Sequence, residues 1–196
     1  MGNSRSSFQL LPEDIAAMQE ETGFNQNQIE RLYTRFSSLD KQDKGYLNRE
    51  DFLRIPELAI NPLGDRIIHA FFFESRNQEE EQIDFKDFVR VLSHFRPVKK
   101  DSENNKLNTR MEKLHFAFRM YDLDGDDKIS KEELLAVLTE MVGNNISTEQ
   151  LISIAERTIM EADLEGRKDD TITFEEFAKV LENTDVEQKM SIRFLN

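Results

Sequence analysis

A twelve-residue acidic phrase recurs along the chain, and it constrains the fold more than any other feature of the sequence. Its clearest copy, Asp122–Glu133, has oxygen-bearing side chains at positions one, three, five and twelve, and the apolar Ile129 at position eight. Another copy begins 41 residues later at Asp163, and another begins 82 residues earlier at Asp40. Residues 83–85 close an eroded copy between them. This internal repetition indicates a chain built from similar structural units.

Each copy lies between segments whose apolar residues recur at three- and four-residue steps, which is the spacing of an amphipathic helix. The apolar residues at position eight fit short strands that pair neighbouring loops. We therefore predict an all-α fold of four EF-hand helix–loop–helix units in two lobes, with short paired strands between the loops. A further short helix is expected from Pro12, a residue suited to the first helical turn, to about Glu21.

Composition divides the chain into five predicted segments. They are an N-terminal segment with a helix (1–24), an N-terminal lobe with two degenerate hands (25–96), a polar linker (97–110), a calcium-binding C-terminal lobe (111–184) and a tail (185–196).

The Asp122–Glu133 loop has the side chains of a calcium site. Ca²⁺ takes six to eight oxygen ligands, and a twelve-residue loop supplies them from carboxylates, from one backbone carbonyl at position seven and from a bidentate carboxylate at position twelve. Position six is Asp127 where the pattern has glycine, but aspartate tolerates left-handed backbone angles. Ser130 at position nine acts through water and caps the next helix. The predicted ligands are Asp122, Asp124, Asp126, Lys128 through its carbonyl, and Glu133.

The last loop is two residues too long, and it carries Arg167 at a ligand position in either register. A bulge between Glu165 and Asp169 would restore the pattern. Two interpretations remain open, calcium binding or a structural half-hand that only pairs with the third loop, so we expect one or two Ca²⁺ ions. The ligands in the first case are Asp163, Glu165, Asp169, Thr171 and Glu176.

The first two loops are predicted not to bind calcium. In the first, Gln42 and Lys44 replace carboxylates, and Asp51 is short for a bidentate ligand. In the second, Arg76 stands at position one and Glu81 stands in the place of glycine. Missing oxygens and added positive charge both oppose cation binding.

Composition excludes several functional classes. A formal net charge of -13 repels nucleic acids. The absence of cysteine excludes a disulfide scaffold, a thiolate zinc site and a cysteine nucleophile. We find no apolar run that could span a membrane and no secretory signal. His69, His94 and His115 lie in separate helical stretches without a nucleophile pattern, so we predict that the protein is not an enzyme.

The chain resembles the calcineurin B homologous proteins, which are relatives of the calcineurin regulatory subunit. The phrases that carry the resemblance are 21–24, 54–68, 94–97, 113–118 and 185–195. The resemblance implies two silent N-terminal hands and two calcium-binding C-terminal hands, although the insertion at Arg167 departs from the family pattern. It also implies an essential subunit of plasma-membrane sodium/proton exchangers that clasps an amphipathic juxtamembrane helix. Some members inhibit calcineurin, which implies its catalytic subunit as a further partner, and act with vesicle or microtubule proteins.

An apolar stripe in the C-terminal lobe is interpreted as a groove for the partner helix, with interior packing as the alternative. The stripe consists of Leu114, Phe118, Leu134, Val137, Leu138, Met141, Phe177, Val180 and Leu181. Two other functions remain as alternatives to an exchanger subunit. One is the regulatory chain (the calcineurin B type) of a calcineurin-type phosphatase, and the other is a soluble calcium buffer without dedicated partners.

The N-terminus fits the N-myristoylation pattern, with Gly2 as the acceptor and Ser6 in the favoured place. One myristoyl chain binds membranes only marginally, and Arg5 is the only basic residue among the first thirty. We therefore expect membrane attachment through the myristoyl group together with a membrane-embedded partner. The expected location is the cytoplasm, peripherally at the plasma membrane and endomembranes. Segments 134–141 and 174–181 resemble nuclear export signals, which adds nuclear shuttling to these expectations.

Overall fold

A computed structural model describes residues 10–75, 81–97, 106–164, 166–167 and 169–191, without the side chains of Lys106 and Asn144. The helices are α1 (Pro12–Thr22), α2 (Gln26–Leu39), α3 (Arg49–Leu53), α4 (Pro56–Ala59), α5 (Gly64–Phe73), α6 (Phe85–Ser93), α7 (Arg110–Arg119), α8 (Lys131–Val142), α9 (Thr148–Ala162), α10 (Phe174–Val180) and α11 (Val186–Lys189). Short 3-10 helices span Lys106–Asn108 and Gly143–Asn145. The prediction of a mainly helical chain is confirmed.

Two small antiparallel sheets join the loops in pairs. Strand β1 (Tyr46–Leu47) pairs with β2 (Ile83–Asp84), and strand β3 (Lys128–Ser130) pairs with β4 (Thr171–Thr173). The apolar residues at position eight lie opposite each other, with Leu47 facing Ile83 in the first sheet and Ile129 facing Ile172 in the second. All four are buried. This register confirms the strand pairing that the sequence predicts.

A capping box starts the helix after three of the loops, and it also fixes the last residue of each loop. Asn48, Ser130 and Thr173 stand at position nine, and each side chain accepts a hydrogen bond from the backbone N–H three residues later. The side chain of that later residue in turn accepts a hydrogen bond from the backbone N–H of the cap residue. The later residue is the position-twelve carboxylate, so helix capping holds it at the end of its loop.

Helix α7 joins the two hydrophobic clusters of the described chain. Phe116 packs in a cluster formed by α1, α2, α5 and α6, whereas Phe118 packs with Ile129, Ile172 and the buried face of α9. These two phenylalanines are two positions apart and are both buried, so α7 contributes a side chain to each hydrophobic cluster.

Polar contacts also bridge the N-terminal and C-terminal halves. The buried Arg66 of α5 donates from Nε and Nη2 to the Glu140 carboxylate of α8, at 3.0 and 2.9 Å. The Arg119 guanidinium lies 4.2 Å from the centre of the Phe73 ring. Paired charges and ring contacts of this kind fix how the halves meet. No helix in the described ranges is long and apolar enough to cross a bilayer.

Helix α1 begins at the predicted Pro12 and extends one residue past the predicted Glu21. Other sequence predictions lie outside the described residues. These include the lipidation site Gly2, residues 76–80 at the start of the second loop, and residues 98–105 of the linker. The segment boundaries stay predictions.

Candidate calcium site

Three carboxylates converge in the third loop, between α7 and α8. Asp122, Asp124 and Asp126 each offer an oxygen, and these oxygens all lie within 4.8 Å of one another. In the part of the chain that the structure describes, this is the one group of three or more carboxylate or histidine ligands that converges in this way. Asp122 is buried, while Asp124 and Asp126 are exposed to solvent. A hard cation such as Ca²⁺ prefers this donor set.

The backbone of the third loop wraps around Asp122. Oδ1 of Asp122 accepts hydrogen bonds from the N–H groups of Gly125 and Asp126 at 2.9 and 3.1 Å, and Oδ2 accepts from Asp127 at 3.2 Å. Gly125 and Asp127 both adopt left-handed angles, with φ of +73° and +65°. Aspartate therefore takes the turn at position six, as the sequence predicts.

Glu133 closes the loop from its capping position. Its Oε1 accepts hydrogen bonds from the N–H groups of Leu123 and Asp124 at 2.8 and 3.3 Å, and its Oε2 accepts from the N–H of Ser130 at 2.8 Å. Burial raises the pKa of Glu133, but hydrogen bonds from Ser130, Leu123 and Asp124 outweigh burial and lower the pKa below its usual value. The carboxylate is therefore held in its charged form, which is the form that binds a metal.

The pKa of Asp122 is raised, in contrast to that of Glu133. Burial raises the pKa of Asp122 above its usual value, although its backbone hydrogen bonds and the nearby Arg119 act in the other direction. The charged form of Asp122 is thus incompletely compensated by the protein, and a divalent cation beside it would stabilise that form. The donor set fits Ca²⁺, which would be held by the residues predicted from the sequence, including the Lys128 carbonyl.

In the first loop, a basic side chain of the loop itself contacts the carboxylate at position twelve. Lys44 Nζ donates to Oδ2 of the buried Asp51 at 2.6 Å, and Asp40 accepts from the backbone N–H groups of Lys44 and Gly45. Burial raises the pKa of Asp51, but the hydrogen bonds from Lys44 and Asn48 and the charges of Lys44 and Arg54 lower it overall. This arrangement supports the prediction that the loop does not bind calcium.

In the fourth loop, an arginine of the loop contacts the carboxylate at position twelve, as Lys44 does in the first loop. Arg167 donates from Nη2 to Glu176 Oε2 at 2.7 Å, and its backbone N–H donates to Asp163 Oδ1 at 2.9 Å. Gly166 and Asp170 adopt φ of +67° and +55°, so left-handed turns lie on both sides of Arg167. Gly166 lies within the span between Glu165 and Asp169 where the sequence predicts a bulge, and Asp170 directly follows that span. Glu165 itself lies outside the described residues, and the ligand set of this loop stays a prediction.

Nearly the whole chain is similar to known proteins. A family model described as an EF-hand domain pair matches residues 111–182. The chain is 45% identical to the calcineurin B subunit of Naegleria gruberi over 193 residues, covering 98% of this chain and 99% of that protein. It is 40% identical to calcineurin B homologous protein 3 of Gallus gallus, covering 96% and 95%. The human calcineurin B homologous protein 3 is 36% identical, covering 94% and 92%.

The chain belongs to the calcineurin B-like family of EF-hand calcium-binding regulatory proteins. This family assignment confirms the resemblance found in the sequence. Within the family, relatives named as calcineurin subunits and relatives named as homologous proteins match over nearly the same length of chain.

The nine apolar residues predicted to line a groove divide into two groups. Leu114, Phe118, Leu134 and Val137 are buried, so in this structure they belong to the interior packing that was the alternative interpretation. The other five, which are half-buried or exposed, remain as predicted groove residues. They are Leu138, Met141, Phe177, Val180 and Leu181.

Arg119 contacts the third loop, although it was not among the residues predicted for that site. Its Nη1 lies 2.9 Å from both Asp122 Oδ2 and Asp127 Oδ1. The available signal was the three-residue spacing between Arg119, the last residue of α7, and Asp122. Arg119 also lies over the Phe73 ring, so it links the calcium loop to helix α5.

Proposed function

We propose that the protein is a regulatory subunit that holds Ca²⁺ in its third loop and clasps an amphipathic helix of a larger partner. The observation that carries this proposal is the convergence of Asp122, Asp124 and Asp126 in a loop closed by the capped Glu133. The bound ion would neutralise the acidic loop and fix the start of α8. Helix α8 carries part of the predicted groove, so the ion would act on the partner surface through this helix.

We further propose that the N-terminal half consists of two degenerate EF-hands. Helices α2 and α3 flank β1, helices α5 and α6 flank β2, and the two strands pair as β3 and β4 do. The Lys44–Asp51 ion pair supports a structural role for the first of them.

The proposed partner is a cytoplasmic amphipathic helix of a sodium/proton exchanger. Two features support this choice over a calcium buffer: the apolar groove residues that remain accessible, and the first loop, which holds its own cation. The resemblance to the calcineurin B homologous proteins implies the exchanger. The proposed location is the cytoplasmic face of membranes, where a myristoyl group on Gly2 would act together with the partner.

A second candidate is the regulatory chain of a calcineurin-type phosphatase. The 45% identity to the calcineurin B subunit of Naegleria gruberi, over 98% of the chain, favours it. Both candidates would bind a partner helix in an apolar groove. They therefore share the binding mode and differ only in the partner.

Titration with two labelled peptides tests the proposal and separates the candidates. One peptide carries an exchanger juxtamembrane helix, and the other carries the helix of a calcineurin catalytic chain that binds its regulatory chain. We expect tighter binding to the exchanger helix, weakened by Met141→Glu in the proposed groove and unchanged by Met160→Glu, a matched change at an exposed methionine of α9. Preference for the phosphatase helix would replace the first candidate with the second. Binding of neither peptide would contradict the clasp and favour a calcium buffer.

A further inference from the structure

The Arg167 guanidinium lies at the carboxylate that a calcium ion in the fourth loop would need. Glu176 stands at position twelve and is only 3% exposed, and its Oε2 accepts the 2.7 Å hydrogen bond from Arg167 Nη2. Arg167 Nε lies 3.6 Å from Asp169 Oδ2. Ca²⁺ binding in this class of loop depends on a bidentate carboxylate at position twelve, so the guanidinium and the ion would compete for Glu176.

The buried carboxylate of Glu176 depends on a nearby cation to balance its charge. Oε1 is buried and accepts no hydrogen bond from any described residue. A buried carboxylate with one uncompensated oxygen is costly unless a cation neutralises it. Arg167 supplies a cation to Oε2 alone, and its removal would leave Glu176 buried and without its ionic partner.

The first loop has the same arrangement with a different residue. Lys44 Nζ lies 2.6 Å from Oδ2 of Asp51, which is the position-twelve carboxylate of that loop. The third loop differs, because the hydrogen bonds to Glu133 come from backbone N–H groups and from Ser130. A basic side chain from within the loop therefore accompanies the position-twelve carboxylate in loops one and four, and the carboxylate of loop three is left to its capping partners.

We propose that Arg167 is the resident cation of the fourth loop and excludes Ca²⁺ from it. The protein then binds a single Ca²⁺ ion, in the third loop; the inference rests on the proposed calcium-binding function. A guanidinium attached to the loop acts at a high effective concentration, and a charge-assisted hydrogen bond to a buried carboxylate is among the stronger polar contacts. Its positive charge also repels an approaching divalent ion.

This internal cation lets the fourth loop support the third without a second ion. Strand β4 is paired with β3 along its whole length, from Lys128 opposite Thr173 to Ser130 opposite Thr171. The Arg167–Glu176 ion pair lies at the start of α10, next to this sheet. The fourth hand is thus a fixed half that holds the sheet, and the third hand is the half that responds to calcium.

Calorimetric calcium titration of the full chain tests the proposal through two variants. Arg167→Gln removes the charge, and deletion of residues 167 and 168 restores a twelve-residue loop. We expect one Ca²⁺ in the wild type and a second in each variant, with the Kd of the fourth loop lowered by about tenfold or more. Arg157→Gln is the matched control, because Arg157 is exposed on α9 and pairs with Glu161. Lys44→Gln should add no ion, because Gln42 still replaces a carboxylate and Asp51 is short for a bidentate ligand.

The outcomes separate this inference from the proposed function. Two ions in the wild type would overturn the exclusion by Arg167 and leave calcium binding intact. One ion in both variants, with circular dichroism showing native helix content, would also overturn it. A wild type without calcium, alongside variants that each gain an ion, would support the role of Arg167 and contradict the proposed third-loop site.

Discussion

Replacement of the buried Lys113 should change how stability depends on pH. Lys113 lies on α7, and its Nζ donates hydrogen bonds to the carbonyls of His94, Arg96 and Met190, the last two at 3.1 and 3.3 Å. These carbonyls belong to the end of the N-terminal half and to the C-terminal tail. Burial is the largest influence and lowers the pKa of Lys113 from 10.5 to about 8, with Glu187 raising it and Arg96 lowering it. The side chain is fully buried, so solvent does not screen this effect.

The direction in which stability changes with pH follows from how many protons Lys113 binds in the folded and unfolded states. Below pH 8 the lysine is charged in the folded and unfolded states, and the cost of burying the charge is fully present. Between pH 8 and 10.5 the folded state loses its proton first, so the unfolded state binds more protons and stability rises with pH. From a folded pKa of about 8, the free energy of unfolding should rise by about 2 kcal/mol between pH 7 and 9.5 through this group alone.

Urea unfolding at these two pH values, compared with Lys113→Met, isolates the contribution. We expect the wild type to gain about 2 kcal/mol relative to the methionine variant on going to the higher pH. Lys189→Met changes an exposed lysine of the tail helix and should behave as the wild type does. Parallel pH dependence in the wild type and Lys113→Met would refute the argument that Lys113 is buried with a lowered pKa.

Three further predictions concern the calcium loop and the N-terminus. Glu133→Gln should weaken calcium binding by on the order of a hundredfold and also weaken partner binding, whereas Glu132→Gln should do neither; an unchanged calcium titration would refute the ligand assignment. Gly125→Ala should lower the free energy of unfolding, measured in urea, by about 2 kcal/mol, and Gly45→Ala should lower it by about 1 kcal/mol. Both glycines have left-handed backbone angles, but only at Gly125 would an added Cβ lie 3.1 Å from the Phe73 ring. Equal losses would contradict the Phe73 contact. The Gly2→Ala protein should still reach the plasma membrane when the exchanger is co-expressed, as seen by fluorescence imaging. Absence of this variant from the membrane under those conditions would contradict anchoring by the partner.

The repeat made the framework of the fold predictable. Position eight is apolar in each loop, and it pairs Leu47 with Ile83 and Ile129 with Ile172, because a strand of two or three residues leaves little freedom of register. Position nine can cap a helix, so Ser130 fixes both the start of α8 and the place of Glu133. The caps depend on residues close in sequence, and the strand pairs follow from the same position recurring in each copy of the repeat.

Contacts between distant segments could not be predicted in the same way. Lys113 stands beside apolar residues on α7, but its burial depends on carbonyls from the end of α6 and from the tail, at Met190. Arg66 and Glu140 are 74 positions apart, and nothing in the sequence pairs them. The spacing showed that Arg167 was misplaced for a ligand, but only the three-dimensional arrangement shows which carboxylate it contacts.

The most direct test of the account is calorimetric calcium titration of the full chain, with and without the exchanger helix peptide. We expect one Ca²⁺ ion in the third loop, bound more tightly when the peptide is present, because coupling between two binding sites is reciprocal. Calcium binding that is indifferent to a bound peptide, or no calcium binding at all, would contradict a calcium-coupled regulatory role.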